Sequence, residues 1–198
     1  STVSITQTGS NNTVGDPSNV GSPSFAIDGN AIDLTITQDG MNNSITGNFV
    51  GGDSTANITQ TGNSNSTALN FGSLGSNGGT LGININGNSN TTTLNVGNTG
   101  DASNYNYSLN ITGASGGSGN NNTVSSTINS KNVTTSIDIT GSSNSVTTNQ
   151  QGKSGHSITT SIIGSSNTVN VTQDGTTLSN SATVNVTGNS AIVNITQH

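Results

Sequence analysis

The chain has no cysteine, no arginine and no glutamate, and it has only two lysines. The missing cysteines exclude disulfide staples and thiolate metal sites. The shortage of basic residues excludes a nucleic-acid surface, because neutralising phosphates needs clustered Lys and Arg. The balance here is acidic instead, with a net charge of −6 and a pI near 4.1. No apolar run is long enough to span a bilayer, and no basic amphipathic segment is available to lie on one. Neither nucleic acid nor membrane insertion is therefore expected. Apolar residues make up 26% and aromatic residues 3% of the chain, well short of an ordinary globular core. Low hydrophobicity usually means disorder, but disordered chains are typically rich in charge, and only 5% of these residues are charged. Asn, Ser, Thr and Gly fill the space. Stacking identical polar side chains is one way such a chain can be ordered.

What is present is a repeated phrase. "SITQTG" occurs at residues 4–9, "TITQDG" at 35–40, "NITQTG" at 57–62 and "NTVNVTQDG" at 167–175. One arm reads Ser1-x-Val3-x-Ile5-x-Gln7-x-Gly9, with Asn12 after it. Others read Ile32-x-Leu34-x-Ile36-x-Gln38-x-Gly40 with Asn43, and Ser54-x-Ala56-x-Ile58-x-Gln60-x-Gly62 with Asn65. Later arms are Asn144-x-Val146-x-Thr148-x-Gln150, Asn167-x-Val169-x-Val171-x-Gln173-x-Gly175 and Ala191-x-Val193-x-Ile195-x-Gln197. Alternation with period two is the signature of a strand. The Gly, Asn and Ser clusters between arms are turn residues that tolerate positive φ.

Asn43 to Asn65 is 22 residues, Asn144 to Asn167 is 23, and Asn167 to Asn189 is 22. Half-steps of 11 or 12 also occur, as in Asn132, Asn144, His156 and Asn167. The fold class this predicts is all-β. It is a β-solenoid of strand–turn–strand rungs, with two strands per roughly 22-residue repeat and about eight rungs. At the usual inter-strand spacing the rod is about 40 Å long. Residues 1–198 form a single domain, with loop insertions near 15–24, 72–80, 97–104 and 113–121. Tyr105 and Tyr107 are expected to share one face beside such a loop.

In this arrangement Val169, Val171 and Gln173 point inward, while Thr168, Asn170 and Thr172 face out. A buried amide is costly unless it is paired. When the same amide recurs one rung away, each can donate to the next, as in cross-β stacks. The expected ladder residues are Gln7, Gln38, Gln60, Gln150, Gln173 and Gln197, with Asn12, Asn43, Asn65, Asn144 and Asn167 at the turns, where Asn side chains bond turn backbone.

These residues resemble the curlin repeat of curli amyloid subunits, Ser-x5-Gln-x-Gly-x-x-Asn-x-Ala-x3-Gln. Residues 1–14 match through Ser1, Gln7, Gly9 and Asn12, and residues 54–65 through Ser54, Gln60, Gly62 and Asn65. Residues 32–43 and 167–175 match in part, with Ile32 and Asn167 in place of the first Ser. The second Gln is mostly absent, and the stretch near 70–130 diverges. The resemblance implies a β-solenoid subunit that is secreted and joins end to end into biofilm fibres. A nucleator or a secretion chaperone then stands beside the chain itself as a candidate partner.

A catalytic site finds no candidates. His156 and His198 are the only histidines, and His156 falls where other turns carry Asn, so it is expected to be a turn residue rather than a general base. The eight aspartates are scattered. Asp39-Gly40 and Asp174-Gly175 are turn dipeptides without the Gly-Gly-x-Gly-x-Asp pattern of calcium-loaded rolls. The Asn-x-Ser/Thr triplets, such as Asn57-Ile58-Thr59, follow from the composition. No cofactor and no metal is expected, and the chain is not expected to be an enzyme.

The remaining signal is at the first and last arms, which are in full repeat, whereas monomeric solenoids cap their terminal rungs. Exposed strand edges template pairing with another copy. The expectation is a self-assembling extracellular fibre subunit that polymerises head to tail. No signal peptide is visible, since Ser1 opens directly into a repeat, so the expectation is either that a signal has been removed from a secreted precursor or that the chain is never exported by that route. Two alternatives remain: a virion β-solenoid (fibre or capsid decoration), and an ice-binding solenoid using outward Thr35/Thr37, Thr91/Thr93 and Thr183/Thr187.

Overall fold

The computed structural model describes residues 1–15, 31–47, 54–71, 80, 82–96, 106–112, 119–130, 132–152 and 154–198. Of the insertions expected at 15–24, 72–80, 97–104 and 113–121, residues 16–24, 72–79, 97–104 and 113–118 lie outside the described residues, as does Tyr105. Within them there is no helix. The strands in chain order are β1 (Thr2–Ser10), β2 (Thr13–Val14), β3 (Asp33–Met41), β4 (Ser44–Ile45), β5 (Thr59–Asn63) and β6 (Ser66–Phe71). They continue with β7 (Ile83–Asn86), β8 (Thr91–Val96), β9 (Asn106–Thr112), β10 (Thr123–Asn129) and β11 (Thr134–Thr140). The last five are β12 (Ser145–Gln151), β13 (Ser157–Ile163), β14 (Thr168–Gln173), β15 (Ser181–Thr187) and β16 (Ile192–Gln197).

The odd strands form one eight-stranded sheet in the order β1-β3-β5-β7-β9-β11-β13-β15, and the even strands form a second, β16-β14-β12-β10-β8-β6-β4-β2. Every pairing is parallel and joins a strand to its counterpart one rung on. This is the strand–turn–strand β-solenoid that the period-two arms predict. The two sheets are opposite walls of one narrow core.

Strict alternation makes the walls work. Strands β10 to β13 alternate buried and non-buried residues without a break, because successive side chains in a strand point to opposite faces. Inside the first wall one column runs Gln7, Gln38, Gln60, Ile85, Ile111, Ile139, Ile162 and Val186. Inside the second, Val14 is followed by Ile45, Thr67, Thr92, Val124, Val146, Val169 and Val193. The stacked Ile and Val rows supply the apolar core. Tyr107 is wholly buried among them, and burial pushes its phenol well above the usual tyrosine range.

Outward columns are polar and mixed. One reads Thr6, Thr37, Thr59, Asn84, Asn110, Asp138, Ser161 and Asn185. Threonine persists for three rungs and then gives way, so this column is not a continuous Thr lattice.

The step from odd to even strand is a four-residue turn opened by glycine. Gly40 has φ 119, and a Cβ there would run into the carbonyl of Gly62 one rung on. Both the backbone angle and the rung spacing therefore require glycine. Gly40→Ala is expected to cost at least about 2 kcal/mol, since strain and clash combine and neither backbone can yield without parting the rungs. A denaturant titration of the variant checks this.

Candidate functional site: amide ladders along the solenoid

The turn sequences are Gly62-Asn-Ser-Asn65, Gly87-Asn-Ser-Asn90, Gly119-Asn-Asn-Asn122, Gly141-Ser-Ser-Asn144 and Gly164-Ser-Ser-Asn167. The third residue takes a left-handed conformation each time, as at Ser64 (φ 58), Asn121 (φ 56) and Ser143 (φ 59). That conformation suits a small polar residue. It turns the fourth residue inward, where Asn43, Asn65, Asn90, Asn122, Asn144 and Asn167 are all buried.

These asparagines form one unbroken ladder. Asn43 donates its backbone N–H and its Nδ2 to Oδ1 of Asn12, at 3.0 and 3.2 Å. The same pair of bonds joins Asn65 to Asn43, Asn90 to Asn65, Asn122 to Asn90, Asn144 to Asn122 and Asn167 to Asn144. Six of these Nδ2 groups also reach forward to a turn carbonyl: Asn12 to Gly40, Asn43 to Gly62, Asn65 to Gly87, Asn122 to Gly141, Asn144 to Gly164 and Asn167 to Gly188, at 2.8–3.0 Å. The run ends at Ala191, whose N–H donates to Asn167 Oδ1 at 2.9 Å but which has no amide of its own.

A second ladder, not anticipated from the sequence, runs along the outside of the same turns. Asn63 donates to Asn88, and Asn88 to Asn120; Asn120 then donates to Ser142, and Ser142 to Ser165. Ser165 donates to Asn189. Its polarity is opposite: here the earlier rung donates to the later one, whereas inside the later rung donates to the earlier. Asn90 and Asn122 of the inner ladder are also absent from the expected set. Their arms lack the Gln that marks the phrase, but the Gly-x-x-Asn spacing would have found them.

The glutamines divide into two stacks. Gln7, Gln38 and Gln60 share a column of the odd-strand sheet. Gln60 Nε2 donates to Gln38 Oε1 at 3.0 Å, and Gln38 Nε2 donates to the Thr13 carbonyl at 3.0 Å. Gln150, Gln173 and Gln197 share a column of the even-strand sheet. Gln150 donates to Gln173 at 3.0 Å and Gln173 to Gln197 at 2.8 Å. Thr67 and Thr135 donate to Gln60 and Gln150 from the facing wall. The two stacks therefore occupy opposite walls at opposite ends of the rod. Gln7 lies on the exposed first strand, while Gln38, Gln60, Gln150 and Gln173 are fully buried.

Removing one member of a stack leaves its neighbours' polar groups unpaired. Gln173→Leu would orphan Gln150 Nε2, Gln197 Oε1 and the Ser157 carbonyl that Gln173 Nε2 meets at 3.0 Å. A loss of about 2–4 kcal/mol is expected in thermal or chemical unfolding. In a Gln150/Gln173 double-mutant cycle the two losses should fall short of additivity by about 1 kcal/mol or more.

His156 is fully buried at the opposite turn, between β12 and β13, with both ring nitrogens in hydrogen bonds. His198, just past β16, pairs with Asp174, just past β14, at 2.5 Å. Among the described residues no group of three His, Cys, Asp or Glu side chains sits together, and no helix is long and apolar enough to cross a membrane. Comparison with protein-family models, with curated proteins and with solved structures finds no match to this chain.

Proposed function

We propose that the chain is a self-assembling structural subunit of an extracellular fibre, adding copies end to end along the solenoid axis. The observation that carries this reading is the state of β1. Among the described residues it pairs with β3 on one edge only, and its inward residues Val3 and Ile5 are 50% and 49% exposed. The corresponding positions one rung on, Leu34 and Ile36, are almost wholly buried. An unpaired edge next to an uncovered apolar strip is a template for one more strand.

The occupant that fits is the last odd strand of a second copy. Following each column through the sheet, β1 on β15 sets Val3 on Ala182, Ile5 on Val184, Gln7 on Val186 and Gly9 on Gly188. Apolar meets apolar at two inner positions, and turn meets turn. The interior ladders change character at this junction, since Asn12 would meet Ala191, so the joint is weaker per rung than the interior. A heterologous contact of this kind does not close on itself and propagates as a filament. The ladders act here as stabilising struts, with no catalytic role.

Incubating the purified chain alone at neutral pH and imaging it by negative-stain electron microscopy tests the reading. Unbranched filaments a few nanometres wide are expected; discrete short rods that persist at high concentration would overturn it.

A further inference from the structure

The turn that returns the chain from β12 to β13 carries a buried group that the fibre reading does not use. Asn180 donates its backbone N–H to His156 Nδ1 at 3.1 Å. Nδ1 is therefore the bare nitrogen, and Nε2 carries the proton that it donates to the Gln151 carbonyl at 3.1 Å. Only the neutral ring, in that one tautomer, satisfies both contacts. His156 Nδ1 does here what Asn Oδ1 does on the other turn: it accepts the backbone N–H of the residue one rung on. The equivalence continues in the backbone, where Thr134 N–H meets the His156 carbonyl at 3.0 Å and Ser157 N–H meets that of Asn180 at 2.8 Å.

We infer that His156 is an acid-sensitive latch, which holds the returning turns of neighbouring rungs together while its ring is neutral and releases them when the ring takes up a proton. A proton on Nδ1 sets a ring N–H against the Asn180 N–H, two donors face to face in a buried site. The charged ring is accommodated only if His156 and Asn180 part. The opened state binds the extra proton, so closure is favoured as pH rises and is lost as pH falls. Among the described residues nothing else around the ring offers the same switch. Asp138 of β11 faces outward, and Asp174 beyond β14 is held by His198. Strands β12, β13 and β15 carry no titratable side chain, and Lys131 and Lys153 lie outside the described residues.

The test is hydrogen exchange followed by mass spectrometry on residues 175–182 at pH 7.5 and pH 5.5, corrected for the intrinsic pH dependence of exchange. Parent and His156→Asn chains are compared, both in a His198→Asn background that silences the exposed pair. Asn at 156 keeps an acceptor but cannot titrate. Protection in the parent is expected to fall by up to about tenfold between the two pH values. In the His156→Asn chain it should hold. Equal loss in both chains, or no loss in the parent, overturns the latch. Should the variant fail to fold, nitrogen NMR of the parent ring decides the matter. A ring that becomes doubly protonated while the Asn180 amide stays protected overturns the inference; loss of that protection in step with protonation supports it.

Discussion

Replacing Asn144 with alanine is expected to destabilise the chain by about 3–5 kcal/mol. For a chain of this size that is a fall in melting temperature of ~10 °C. The side chain is almost wholly buried and its amide makes four hydrogen bonds to three neighbours. Oδ1 accepts the N–H and Nδ2 of Asn167, while Nδ2 donates to Asn122 Oδ1 and to the Gly164 carbonyl. Alanine removes all four bonds and leaves the partners buried without water. The damage should stay local, since a solenoid rung contacts only its neighbours. Hydrogen exchange should therefore rise first around β11 to β14. Ala191→Asn is the matched control: it adds an amide at the far end of the same ladder, where no partner depends on it, and should change stability by only a few tenths of a kcal/mol. A melt of Asn144→Ala within 2 °C of the parent would mean that the ladder is ornament rather than support.

Ile5→Lys is expected to abolish filaments while leaving the isolated chain folded. In the single chain Ile5 is half exposed on an edge strand, so a longer polar side chain costs it little, within about 0.5 kcal/mol. In the stacked pair the same position lies on Val184, and a lysine there would bury a charge without a partner. Circular dichroism and the melting temperature should match the parent. Electron microscopy and light scattering should show no filaments at concentrations where the parent polymerises. Filaments that form as readily as before would place the contact elsewhere.

Much of the solenoid was legible in the sequence because two simple rules suffice. Alternation fixes which residues of an arm face in, and Gly-x-x-Asn fixes where the chain turns. Val169, Val171 and Gln173 face the core for that reason, and the fully buried Asn43 and Asn65 sit where the turn needs an inward amide. What the phrase does not encode is the wall. The half-repeat of 11 or 12 residues makes odd and even strands read alike, so "SITQ" at 4–7 and "NITQ" at 194–197 look like members of one stack. The register puts Gln7 in the first sheet and Gln197 in the second. Only a count of whole rungs separates them, and the insertions before 31 and between 72 and 118 spoil that count. His156 shows a similar limit. Its place at a turn was legible, but the role of Nδ1 as a ladder acceptor depends on the Asn180 N–H one rung away, 24 residues on in the sequence.

The most direct test of end-to-end assembly is a helical reconstruction of the filament by cryo-electron microscopy. Eight strands per sheet at about 4.8 Å each give a subunit rise of ~38 Å along the axis, with β1 of one copy paired in parallel with β15 of the next. That rise, with Ile5 seated on Val184, is the predicted result. Filaments in which the solenoids lie side by side, with the β1 edge still open to solvent, would contradict it.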